Sequence, residues 1–137
     1  MARPETPLLA TDCVIRDGAG RIVLIRRKHE PFKGGYALPG GFVDIGETVE
    51  AACRREVREE TGLSVGALRL VGVYSDPRRD PRGHCVSVAF TTFLPGTARP
   101  IAGSDAAGAE WVEDWRKADL AFDHALIVAD ADKVALD

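Results

Sequence analysis

Glu56, Glu59 and Glu60 stand at i, i+3 and i+4 within residues 48–61, and a Gly-containing stretch at residues 41–46 leads directly into that segment. Taken as a helix at about 100° per residue, the segment sets Val49, Ala52, Cys53 and Val57 on one apolar stripe, with Arg54 and Arg58 opposite. Glu56 and Glu60 fall inside the apolar stripe. An amphipathic surface helix keeps its carboxylates on the solvated side, and glutamates at this spacing repel one another. A cation resolves both conflicts. Hard divalent ions take oxygen ligands, and Mg²⁺ or Mn²⁺ suits one or a few carboxylates together with water and substrate phosphates. Taken singly, each glutamate also reads as part of a solvated, salt-bridged helix face. In combination they predict a site for metal ions and phosphates.

Gly41, Glu47, Arg55, Glu56, Val57, Glu59, Glu60, Gly62 and Leu63 follow the order Gly-x5-Glu-x7-Arg-Glu-aliphatic-x-Glu-Glu-x-Gly-aliphatic. In this the chain resembles the Nudix hydrolase family, and every fixed position of the family's box is filled. The resemblance implies that Glu56, Glu59 and Glu60 bind catalytic divalent metals, Mg²⁺ or Mn²⁺, helped by the backbone carbonyl of Gly40. It also implies that Glu47 and Arg55 form an ion pair that orients loop and helix. Hydrolysis of a diphosphate brings water to a phosphorus surrounded by negative oxygens. Bound metals neutralise that charge and supply hydroxide near neutral pH, and the rest of such chemistry is largely positioning. Many members of the family take the water-activating base from a loop beyond the box. Here Asp105, Glu110 ahead of Trp111, and Glu59 itself are the available carboxylates.

The elements that must position these groups are legible in part. Gly41 and Gly46 permit sharp turns, Thr48 fits an N-cap without a capping box because Ala51 follows three positions later, and Gly62 fits a left-handed C-cap. Strands are predicted at residues 8–15 and 22–27, joined by Asp17-Gly18-Ala19-Gly20, and at 36–38, 68–74, 85–93 and 109–112. A second helix is predicted over residues 124–136 with Asp123 as its N-cap. This order gives an α/β chain with a mixed sheet between helices, the α/β/α sandwich that the Nudix resemblance implies. With 137 residues, 45% of them hydrophobic, one domain spanning 1–137 is expected.

Composition narrows the partners. A formal charge of −3 argues against a general nucleic-acid binder and leaves a small nucleotide substrate compatible. Cys13, Cys53 and Cys85 lack paired metal spacing and read as reduced core residues. Residues 1–7 carry no apolar signal core and no run reaches membrane-spanning length, so a cytoplasmic protein without a membrane partner is expected. Nudix proteins often form homodimers, although no exposed apolar helix face or heptad seam is readable here.

Substrate choice lies outside the box. Residues 31–43, 75–84 and 120–124 are similar to the sequences around the box in ADP-ribose pyrophosphatase-like Nudix proteins. Arg78, Arg79 and Arg82 crowd a Pro-rich polar loop, and guanidinium groups suit bidentate phosphate contacts; the same loop also reads as a solvated surface with its arginines paired to Asp76 and Asp80. Of Arg26 and Arg27 at a strand end, one is expected to face phosphate. Phe32 and Tyr36 are candidates for base stacking or for packing, and His84 for substrate contact or a structural role. Three functions follow from these readings: hydrolysis of ADP-ribose or a related nucleoside diphosphate compound, hydrolysis of normal or oxidised nucleoside triphosphates, and ligand sensing without catalysis.

Overall fold

The computed structural model describes residues 3–136. Met1, Ala2 and Asp137, the ends of the expected domain and the first residues of the segment read for a signal core, lie outside the described residues. The alternating stretches form β1 (Leu8–Arg16), β2 (Ile22–Arg27), β3 (Tyr36–Ala37), β5 (Arg69–Tyr74), β6 (Cys85–Phe93) and β7 (Ala106–Val112), and β4 (Gly40–Phe42) is an addition to the expected strands. The box helix is α1 (Val49–Thr61), and the second helix is α2 (His124–Ala131).

β1 runs parallel to β6 from Leu8↔Cys85 to Arg16↔Phe93, while its pairings with β2 and β4 are antiparallel, so the sheet is mixed. Successive residues of a strand face opposite sides, and the apolar strands divide accordingly. Cys13, Ile15, Val23 and Phe90 pack with Cys53 and Val57 of α1. Val14, Ile22, Leu24 and Ala89 pack with Ile127, Val128 and Ala131 of α2. The result is the expected α/β/α sandwich.

The feature that creates the site is a fork in this sheet. β1 and β2 are in register at Arg16↔Ile22. Farther along, β4 pairs with β1 at Ala10–Asp12 and β3 pairs with β2 at Ile25 and Arg26. Residues 36–42 therefore cross from one strand to the other at Leu38 and Pro39. Gly40 is required at the crossing, because a Cβ there would lie 2.1 Å from the Thr11 carbonyl oxygen.

α2 is shorter than the predicted 124–136. Beyond Ala131 the chain tightens into turns, with Lys133 N–H donating to Asp130 O and Val134 N–H to Ala131 O. Arg16 Nη2 then takes the Val134 carbonyl at 2.7 Å. Asp130 and Asp132 also place negative charge where a helix C-terminus disfavours it. Among the described residues no helix is long and apolar enough to cross a membrane.

Ile127 is 0% exposed between α2 and the sheet, whereas Ile45 is 98% exposed. Ile127→Ala should therefore destabilise the fold by about 2–5 kcal/mol and Ile45→Ala by less than about 0.5 kcal/mol, measured by urea unfolding; similar losses in both would contradict this packing.

Candidate metal and phosphate site

α1 is fixed at both ends. Thr48 Oγ1 accepts the Ala51 N–H at 3.1 Å, and Gly62, at φ 69°, donates its N–H to Arg58 O. The helix's last carbonyls, which have no partner within a helix, are taken by the 101–105 loop: Ile101 N–H donates to Thr61 O at 2.7 Å and Gly103 N–H to Glu60 O at 3.1 Å. A Cβ on Gly103 would lie 1.7 Å from Glu59 O, so only glycine allows the approach. This seats Asp105 at the rim of the cleft.

Glu60 is buried, and its Oε2 has no hydrogen-bond partner among the described residues. Burial and the neighbouring Glu56 carboxylate push it up to about 9. Glu56 is raised as well, first by burial, despite the Arg55 guanidinium beside it. With Glu60 held up there, the pair retains a proton at neutral pH. Gly41 makes room for them, since a Cβ there would lie 2.5 Å from Glu56 Oε2.

Arg55 organises the box. Its Nε and Nη2 fork onto Glu47 at 2.7 and 2.8 Å, Nη1 reaches Glu56 at 2.7 Å and Glu59 at 3.2 Å, and Nη2 also donates to the Phe42 carbonyl. The guanidinium holds Glu47 down at about 2. Glu59 is half-exposed and turned to Arg55. Among the described residues, no group of three or more His, Cys, Asp and Glu side chains is gathered as a ready-made metal cage. The residues that could hold a metal ion are Glu60 and Glu56, with Gly40 and Gly41 beside them. An unpartnered, buried carboxylate oxygen next to a second carboxylate fits a divalent cation, which needs few protein ligands when water and phosphate complete its shell.

Glu60, Gly40 and Gly41 line a cleft of about 220 Å³ together with Asp12, Arg27, Arg79, Arg82, Asp105, Phe122 and His124. It shares Phe42, Asp80, Arg82 and Cys85 with an adjoining hollow of about 530 Å³. Arg27 donates to the Pro31 carbonyl at 2.6 Å and lies 5.0 Å from the Phe122 ring; among the described residues no carboxylate pairs with it. Arg82 forks onto Asp80 but keeps an exposed side.

Arg79 departs from the expectation of a loop arginine turned to phosphate. Its side chain is 5% exposed and forks onto Asp123 at 2.8 and 2.7 Å, with Asp12 at 3.8 Å. The same contact corrects Asp123, whose carboxylate makes no capping bond to α2. Arg78 is exposed near Asp76. Of the candidate bases, Glu110 accepts from the Tyr36 hydroxyl, Glu59 faces Arg55, and Asp105 lines the cleft. Tyr36 stacks under Arg26, Phe32 packs edge-on against Phe122, and His84 Nε2 lies 3.0 Å from the Ser75 carbonyl. The three cysteines are free and buried.

The sequence reading passed over Asp12 and His124. Asp12 is a carboxylate in the middle of a mostly apolar strand, as anomalous there as Glu60 is on its helix, and that was the available signal.

The NUDIX domain family model matches residues 6–130. The chain belongs to the Nudix family. An ADP-ribose pyrophosphatase of Methanocaldococcus jannaschii is 49% identical over 124 residues, covering 90% of this chain and 72% of that protein. The NUDIX domain of Shewanella oneidensis NrtR, crystallised with ADP ribose, superposes with a TM-score of 0.87 at 27% identity, over 94% of this chain and 88% of that one. A bifunctional NMN adenylyltransferase/ADP ribose pyrophosphatase of Francisella tularensis, complexed with AMP and a Mn ion, gives a TM-score of 0.84 at 25% identity; the match spans 96% of this chain and 43% of that one. Nudix hydrolases work with divalent metals.

The raised Glu60 carboxyl links stability to pH. A group whose folded value lies above its ordinary 4.5 favours the fold when protonated, so its contribution is present below that value and is lost as pH rises toward about 9. The melting temperature of metal-free protein should fall between about pH 5 and 9 more steeply than that of Glu60→Gln, and saturating Mg²⁺ should reduce the difference. Parallel profiles for the two proteins would contradict the burial of this charge.

Proposed function

We propose that this Nudix protein hydrolyses ADP-ribose, or a close nucleoside diphosphate compound, to a nucleoside monophosphate and a sugar phosphate. The observation that carries the reading is the buried, unpartnered Glu60 oxygen beside Glu56, set in a cleft that also presents a guanidinium without a carboxylate partner. The likeness to proteins that act on or bind ADP-ribose supports the substrate class.

In this reading Glu56 and Glu60 hold a divalent ion, Mg²⁺ or Mn²⁺, with the Gly40 carbonyl as a further ligand. Glu59 completes the set by turning from Arg55. When bound, the ion neutralises diphosphate oxygens and activates water. Asp105, at the cleft rim and anchored through Gly103 to α1, receives the water's proton as that water attacks phosphorus and the bridging P–O bond breaks. Glu47 and Arg55 keep loop and helix in register. Arg27 binds phosphate directly, Arg82 joins it by leaving Asp80, and Arg79 braces the cleft wall. The two adjoining hollows, with Arg82 on their shared wall, suit a substrate with two arms joined at a diphosphate. The partner is thus a small nucleotide.

The likeness to an NrtR domain crystallised with ADP ribose is equally in keeping with a second reading, ligand binding without turnover. A Mg²⁺-dependent panel of ADP-ribose, other nucleoside diphosphate sugars and nucleoside triphosphates separates the two. AMP and ribose 5-phosphate are expected from ADP-ribose, with turnover reduced by orders of magnitude in Glu60→Gln. Preference for a triphosphate would overturn the substrate assignment, and binding without turnover would favour the sensor. Arg27→Ala should raise KM for ADP-ribose about tenfold or more, the loss expected of a charge-assisted phosphate contact; an unchanged KM would remove Arg27 from the phosphate site.

A further inference from the structure

Where the chain crosses the sheet fork, Leu38 lies between β3 and β4, and its backbone N–H is taken by a side chain: His124 Nδ1 accepts it at 3.0 Å in a buried setting. A buried amide without a partner is costly, so the imidazole replaces a missing strand. The neighbouring residues do likewise, with Ala121 N–H donating to Tyr36 O at 2.8 Å. The segment leading into α2 therefore forms an edge along β3.

The imidazole is held from its other side. A neutral ring that accepts at Nδ1 carries its proton on Nε2, and Nε2 stands 3.3 Å from Asp12 Oδ1. Asp12 is in turn fixed by the Ser87 hydroxyl, which donates to Oδ2 at 2.5 Å. Burial favours neutral His124, in agreement with the geometry. Arg79 clamps the adjacent Asp123 and lies near Asp12. On the far side of the crossing, Cys13 N–H donates to Pro39 O at 2.9 Å, and Asp12 Oδ1 lies 2.8 Å from where a Gly40 Cβ would be. Residues 38–40 are thereby gripped between β1 and the start of α2.

We propose that His124, held by Asp12 and Ser87, is a positioning residue that fixes the Leu38–Pro39–Gly40 crossing and so aims the Gly40 carbonyl at the divalent metal. The proposal rests on the metal reading of Glu56, Glu60 and Gly40 given above. Its chemical content is the acceptor at the Nδ1 position. An asparagine carries an amide oxygen near that position, whereas the glutamine amide extends toward Nε2 and phenylalanine offers volume without an acceptor.

The test is Mn²⁺ binding to the full chain, followed by the electron paramagnetic resonance signal of free Mn²⁺, with melting temperature as a check on folding. His124→Gln and His124→Phe should weaken Mn²⁺ binding about tenfold or more, the usual loss when a residue orienting a metal ligand is removed, while His124→Asn stays close to the unsubstituted protein. Turnover should fall in the first two through kcat, with KM for ADP-ribose little changed. Should His124→Phe fail to fold, the Asn and Gln pair still decides, because both remove the ring and differ in where the acceptor sits. Unaltered Mn²⁺ affinity in folded His124→Gln, with affinity lost in Glu60→Gln, would overturn the role of His124 alone. Mn²⁺ binding that is insensitive to Glu60→Gln would overturn the metal reading and this proposal with it.

Discussion

A carboxylate carried on the buried side of a helix must be paired, protonated or bound to a cation, because an isolated charge in a packed interior is too costly to persist. Glu60 is under that constraint. The apolar stripe of α1, with Cys53 and Val57 packed on the strands and Ala52 buried beside them, presses the helix against the sheet, and the same rotation turns Glu60 inward beside Glu56. Packing of the core thus creates the electrostatic demand that a divalent ion meets. The alternative, a proton kept on the pair, is what burial of the two carboxyls favours without metal.

Several local devices serve this one arrangement. The fork between β1 and β2 opens room for residues 36–42 and brings Gly40 and Gly41 beneath the helix. Glycine at position 41 leaves space for the Glu56 carboxylate, and glycine at 103 lets a loop cap the C-terminal end of α1 while presenting Asp105. Arg55 fastens Glu47, Glu56 and Glu59 with one guanidinium. Because the planar fork of arginine spans several carboxylates at fixed geometry, one side chain can register loop against helix.

Much of this was legible in the sequence. Alternation located the six long and short strands, and the intruding glutamates marked the inner side of α1. What escaped depended on contacts distant along the chain. Gly40-Gly41-Phe42 has little strand character of its own and becomes β4 because the edge of β1 is free beyond the fork, a tertiary effect. Arg79 looked like its loop neighbours, and nothing local reveals that Asp123, 44 positions away, claims its guanidinium. That contact also explains why Asp123 does not cap α2. The end of α2 failed for a similar reason, since the apolar spacing continues to Val134 but Arg16 takes that residue's carbonyl. Asp12, also passed over, carried a local signal, a carboxylate in the middle of a mostly apolar strand.

The central claim is that Glu60 and Glu56 exchange a retained proton for a divalent ion. Titration calorimetry of Mn²⁺ into metal-free protein at pH 7, repeated in buffers of different ionisation enthalpy, counts the protons displaced. Release of about one proton with the first ion bound is expected, and its disappearance in Glu60→Gln would assign the proton to this pair. Tight binding with no proton released, or the same release in Glu60→Gln, would contradict the account.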